Sequence, residues 1–101
     1  MYGLIGKMRA AEGRAAELAE ILVAGSGEMP GCLSYVVALD PNDADALWVT
    51  EVWTDEASHK ASLQTDVVKA AIAKGRPLIA GFEQHVQTEP LAGSHGLVKA
   101  T

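Results

Sequence analysis

The sequence carries one cysteine, four prolines and only five aromatic residues in 101. A lone thiol leaves no intrachain disulfide and suits a reducing compartment. Basic residues are outnumbered, 8 against 13 acidic ones, and a net charge of −5 argues against a nucleic-acid or anionic-membrane surface. No run approaches the ~18 apolar residues of a membrane span. The start, Met1-Tyr2-Gly3-Leu4-Ile5-Gly6-Lys7, lacks the basic-then-apolar layout of a secretory leader, so a cytoplasmic protein is expected. Neither G-x-G-x-x-G nor a P-loop occurs, which removes the case for a nucleotide. His59, His85 and His95 are not at ligand spacing with one another or with Cys32, so no metal site is expected. Asp40 to Asp45, followed by Glu51, superficially matches a calcium loop. It lacks the glycine at the sixth position and has Ala44 at a ligand position, so it reads as a hairpin turn.

What is present points to one small folded domain. Hydrophobic residues are 49% and charged residues 21%, well outside the composition of a disordered chain. Seventeen alanines face those five aromatics (Tyr2, Tyr35, Trp48, Trp53 and Phe82). Alanine-rich helices pack closely and contribute little buried area each, so the core is thin. Small domains in that position often recruit a partner subunit.

Residues 2–9 read as a strand, with Leu4, Gly6 and Met8 opposite Ile5, Lys7 and Arg9. A helix follows from about Glu12 to Ala24 on the stripe Ala11, Ala15, Leu18 and Leu22, widened by Ile21, and Gly25-Ser26-Gly27 ends it. Met29-Pro30-Gly31 turns into a second strand, 32–39, and the Asp40–Asp45 turn leads to a third, Ala46 to Trp53. Thr54 or Asp55 caps a short helix through Gln64, and Thr65 or Asp66 caps another through Lys74, with Val68, Ala71 and Ile72 on one face. Gly81 to Glu89 forms the last strand. The order β-α-β-β-α-β, its second helix broken in two, is the ferredoxin-like α+β plan. Residues 1–90 form the domain and 91–101 a C-terminal tail.

The middle strands are apolar on both faces. Leu47, Val49, Glu51 and Trp53 oppose Trp48, Thr50 and Val52; Leu33, Tyr35, Val37 and Leu39 oppose Cys32, Ser34, Val36 and Ala38. A sheet with one wet face alternates cleanly. Helices cover one face only, so a second copy of the sheet is the expected cover for the other, which makes a homodimer.

Two residues break the pattern usefully. Glu51 sits mid-strand among Leu47, Val49 and Trp53, where a carboxylate must be paired, wet or raised in pKa. A salt bridge at the strand end or dimer rim would satisfy it, as would a functional site. Leu63 is the one large apolar residue of the 55–64 helix and marks its inward face; His59, four residues earlier, shares that face. Histidine is the usual general acid or base near neutral pH, though a backbone carbonyl could equally satisfy it. Trp53 and Tyr35 suit a ligand-pocket wall or plain packing. Cys32, with no basic neighbour in sequence, reads as a small filler.

Pro30-Gly31-Cys32-Leu33-x-Tyr35, then Glu51-x-Trp53-x-Asp55-x2-Ser58-His59, then a short helix before Asp66-Val67-Val68, resembles the antibiotic biosynthesis monooxygenase family. The likeness is greatest to its small bacterial quinol-monooxygenase-like members and covers roughly residues 2–89. It implies a dimeric α/β barrel that oxidises a quinol or phenolic small molecule with O2, using no flavin, haem or metal and so no cofactor. His59 would then be the base or a hydrogen-bond partner, Glu51 its orienter, and Trp53 and Tyr35 the substrate-binding ring wall. Fold relatives that degrade haem use an asparagine on strand one, a tryptophan and an axial histidine. Here Gly6-Lys7, Ser62 and Ile72 stand at those places, which argues against haem. Other relatives imply the alternatives, a non-catalytic small-molecule-binding or stress-response dimer, or an isomerase of a small signalling metabolite. Lys7 and Arg9 would suit a phosphorylated ligand.

Overall fold

Period-two and 3.6-residue apolar patterns lay down four strands and three helices. The computed structural model describes residues 1–27 and 29–98. Its elements are β1 (Tyr2–Ala10), α1 (Ala15–Ala24), β2 (Cys32–Leu39), β3 (Ala46–Trp53), α2 (Glu56–Ser62), α3 (Asp66–Gly75), a 3₁₀ turn (Arg76–Leu78) and β4 (Ile79–Thr88). The strands form one antiparallel sheet in the order β2-β3-β1-β4. The expected ferredoxin-like α+β fold, with its second helix in two pieces, is the one observed.

Element ends shift for local reasons. α1 starts at Ala15 rather than Glu12 because Gly13 adopts φ +74° and leaves the helical region. The Gly13 N–H donates instead to Asp45 Oδ1 at 2.9 Å, which ties this turn to the β2–β3 hairpin. α2 stops at Ser62, short of Gln64. β4 begins at Ile79, ahead of Gly81, and ends at Thr88. The 3₁₀ turn before it buries Leu78, whose carbonyl accepts the Ala11 N–H at 2.7 Å. Asp55 and Thr65 are the two helix caps, accepting from the Ser58 and Val68 N–H groups at 2.7 and 3.3 Å.

Ala10, Ala15, Leu18, Leu47, Val49 and Leu78 make the core, between α1 and the sheet. Leu18 and Leu47 are fully buried and contribute about 1.5–3 kcal/mol each. α1 approaches α3 so closely at Gly25 that a Cβ there would lie 2.6 Å from Ala71 Cβ.

The opposite face of the sheet has no helix over it. Val36 and Val86 are about half exposed there, at 54% and 47%. At one end of that face Arg9 pairs with Asp43 and Glu83, Lys7 pairs with Glu83 and Asp40, and Asp40 accepts the Trp48 indole N–H at 2.9 Å. Lys7 and Arg9, expected to suit a phosphorylated ligand, therefore already carry carboxylate partners. At the other end the chain after β4 folds back. A Cβ on Gly3 would touch Pro90, and the Val98 N–H donates to the Leu33 carbonyl on the β2 edge at 3.0 Å. Residues 89–98 hold turns with no helix or strand, and the last three positions of the expected tail, 99–101, lie outside the described residues. Among the described residues no helix is long and apolar enough to cross a membrane.

Candidate active site

The sheet floor supplies most of the site. Glu51 and Trp53, two apart on β3, point to the helix-covered face. Register places Glu51 between Tyr35 on β2 and Leu4 on β1, and Trp53 between Cys32 and Tyr2. The chain leaves β3 directly into α2. The Thr54 N–H donates to the Gly31 carbonyl at 2.9 Å, Asp55 caps the helix, and His59 arrives one turn later. Gly31 has φ +82°, and a Cβ on it would lie 2.6 Å from Ser58 Cβ. The Pro30-Gly31 turn thus sets how closely α2 sits on the sheet, and so where His59 points.

His59, Glu51, Trp53 and Tyr35 all line one cavity of about 700 Å³ between the sheet and the helices. Trp53 donates its indole N–H to Glu51 Oε1 at 3.0 Å, and His59 Nε2 lies 3.9 Å from the same oxygen. The His59 ring stands edge-on to Trp53, centroids 5.4 Å apart at 69°, and tilts against Tyr2 at 5.6 Å. Glu51 and His59 are both mostly enclosed, with side-chain exposures of 17% and 20%. Burial, reinforced by the Glu51 charge and by Cys32, pushes the Tyr35 hydroxyl well above its ordinary pKa. Burial likewise raises the Cys32 thiol, which fits the reading of a filler.

Leu63 lines the same cavity as His59, so it does mark the inward face of α2. It caps the helix at 40% exposure, while Ser62 is buried and donates its hydroxyl to the His59 carbonyl at 2.6 Å. Ser62, three residues after His59, shares that face. Val68, Ala71 and Ile72 of α3 line the cavity as their shared face requires. The sequence reading missed Tyr2 and His85. Tyr2 was findable because it has the same strand parity as Leu4, Gly6 and Met8; His85 sits on an exposed strand with no apolar alternation to mark its direction.

The sequence pattern of the antibiotic biosynthesis monooxygenase family matches residues 1–74. The chain belongs to this family. A family-named protein from Chloroflexus aurantiacus J-10-fl is 58% identical, with 94% of this chain and 97% of that one covered, at a TM-score of 0.91. A Pseudomonas aeruginosa protein is 26% identical, covers 90% and 94%, and superposes at 0.77. A Deinococcus radiodurans structure, 24% identical over 94% and 97%, shares the fold at 0.73. No curated protein matches the chain. Family membership agrees with the fold and with the motif residues Glu51, Trp53 and His59, which meet at one wall of the cavity.

Proposed function

We propose that this family member is a monooxygenase that oxidises a quinol or phenolic small molecule with O2, without flavin, haem or metal. The observation that carries the reading is the cluster of His59, Glu51 and Trp53 at the wall of a largely apolar cavity. Triplet O2 reacts slowly with closed-shell organic molecules, so the substrate must itself become a strong electron donor. Loss of a hydroxyl proton does that. His59 Nε2 takes the proton, Glu51 stabilises the imidazolium that results, and Trp53 holds Glu51 in place. Tyr35, kept protonated, donates to a substrate oxygen, and the apolar walls exclude water. For a para-quinol with a free ring C–H the balance is quinol plus O2 giving hydroxy-para-quinone plus water, and for a phenol with a free para C–H it is phenol plus O2 giving para-quinone plus water. One oxygen atom enters the ring, the other leaves as water, and the ring supplies all four electrons.

The working unit is residues 1–90, with 91–101 as a tail, assembled as a homodimer through the helix-free sheet face where Val36 and Val86 are exposed. The single half-buried thiol of Cys32 suits the cytoplasm. The phosphorylated-ligand isomerase reading has less support, because Lys7 and Arg9 lie on the other face of the sheet in carboxylate pairs.

The test is oxygen uptake by metal-stripped protein across a panel of quinols and phenols, with labelled O2 to follow the atom. Uptake with label in the quinone supports the reading. Tight binding without uptake across the panel replaces it with a binding module.

A further inference from the structure

The face of β1 that looks into the cavity runs Leu4, Gly6, Met8, and the middle position has no side chain. A Cβ built on Gly6 meets nothing nearer than the Gln84 carbonyl, at 3.8 Å. The space above Gly6 is therefore open cavity rather than a packed contact. Two different walls flank it. Glu51 pairs with Leu4, one step along β1, and brings Trp53 and His59 with it. On the other side His85 of β4 is the direct cross-strand partner of Gly6 and also lines the cavity. The two walls differ in enclosure: Val49 on β3 is 3% exposed and Phe82 on β4 is 70% exposed. The cavity opens on the β4 side, and His85 stands there. Strand spacing near 4.8 Å and a rise near 3.3 Å per residue put the Glu51 and His85 backbones roughly 11–12 Å apart across Gly6. An aromatic ring with one polar group at each end spans that gap.

We propose that Gly6 is the seat of the substrate ring and that His85 binds its second oxygen, so the site selects flat rings oxygenated at both ends. The inference rests on the cavity being the substrate site of the proposed monooxygenase. His59 and Glu51 receive the reacting hydroxyl at the closed end; His85 holds the opposite oxygen at the mouth. Gly6 sets the thickness of ring the floor accepts.

Binding under argon, followed by tryptophan quenching, separates this from turnover. The probes are 1,4-dihydroxynaphthalene, 1-naphthol and naphthalene. The wild type binds the diol roughly three- to tenfold more tightly than the naphthol, the scale of one hydrogen bond. His85→Phe and His85→Ala abolish that preference, and His85→Gln retains part of it. Gly6→Val, a substitution strands accept, removes binding of all three probes while circular dichroism and thermal unfolding stay native. Equal affinities for diol and naphthol in the wild type, a preference that survives loss of His85, or binding that survives Gly6→Val would each overturn the proposal. A protein that shows the preference but consumes no O2 keeps this inference and loses the monooxygenase. One that oxidises quinols without the preference does the reverse.

Discussion

The indole N–H of Trp53 is bonded to Glu51 Oε1 at 3.0 Å, between side chains two residues apart on one strand. That bond explains a carboxylate in the middle of an apolar strand face. A charge so enclosed needs a donor, and the donor comes from the next inward position on β3. The same oxygen faces His59 Nε2 at 3.9 Å, within ion-pair range once the imidazole gains a proton. Trp53 thus fixes the carboxylate that faces His59.

Removing the indole N–H should show this coupling. Trp53→Phe leaves a mostly enclosed carboxylate short of a donor and is expected to cost about 1–3 kcal/mol in denaturant unfolding. Glu51→Gln should make the same substitution less costly. A double-mutant cycle in which the two effects add within about 0.5 kcal/mol would show that the bond does not couple the residues.

His59→Ala should lower quinol turnover by about 10²-fold or more, the scale of lost acid–base catalysis. His59→Gln keeps hydrogen bonding but cannot take the proton, so it should be nearly as impaired. Either variant should cost at most about 1–2 kcal/mol of stability, because the ring is partly solvated and Ser62 bonds the His59 backbone rather than its side chain. Turnover that survives both changes would reduce His59 to a packing residue.

The strands, their two apolar faces and the meeting of Glu51, Trp53, Tyr35 and His59 were legible because period-two parity fixes direction once a strand is recognised. Helix ends were less secure. Leu63, the one large apolar side chain of the α2 segment, lines the cavity beside His59, but the helix itself ends at Ser62. The same face also carries the buried Ser62, which hydropathy does not reveal. The α1 start failed for a related reason: Glu12 looks like a first-turn residue, whereas the backbone conformation of Gly13 ends the preceding turn. His85 was invisible because β4 is exposed along most of its length and its bulges break the alternation.

Gly31→Ala should disturb the site from outside it. The residue adopts φ +82°, and an added methyl would press on Ser58 at the first turn of α2. The expected cost is about 1–3 kcal/mol, from strain together with the displaced helix. Because α2 carries His59, turnover should fall more than stability alone explains, even at temperatures where the variant is fully folded. Unchanged kinetics in a folded Gly31→Ala protein would refute the role of the Pro30-Gly31 turn in positioning His59.

The helix-free sheet face predicts association. Sedimentation at micromolar concentration should give about twice 10.6 kDa. Val36→Lys, placed on that face at a position 54% exposed in the single chain, should shift the equilibrium toward monomer without unfolding the protein. A wild type that stays monomeric across that range would leave the two-sided strands without the cover proposed for them.

Tyr35 predicts how stability responds to alkali. Its hydroxyl is raised above the ordinary value near 10, first by burial and then by the negative charge of Glu51 and by Cys32. In the unfolded chain the phenol loses its proton near pH 10, while in the folded chain it still holds it. Over that interval the folded state binds the extra proton, so stability must fall as pH rises, by up to about 1.4 kcal/mol per pH unit from this group. Below pH 10 both states are protonated and the group contributes no slope. Urea midpoints for the wild type should therefore hold near pH 9 and decline through about pH 11. Tyr35→Phe, which cannot ionise, should decline more slowly over the same interval, so the wild type loses stability relative to the variant as pH rises. Parallel curves would mean that Tyr35 ionises as easily folded as unfolded, and would remove the burial of its hydroxyl as the cause of the raised value.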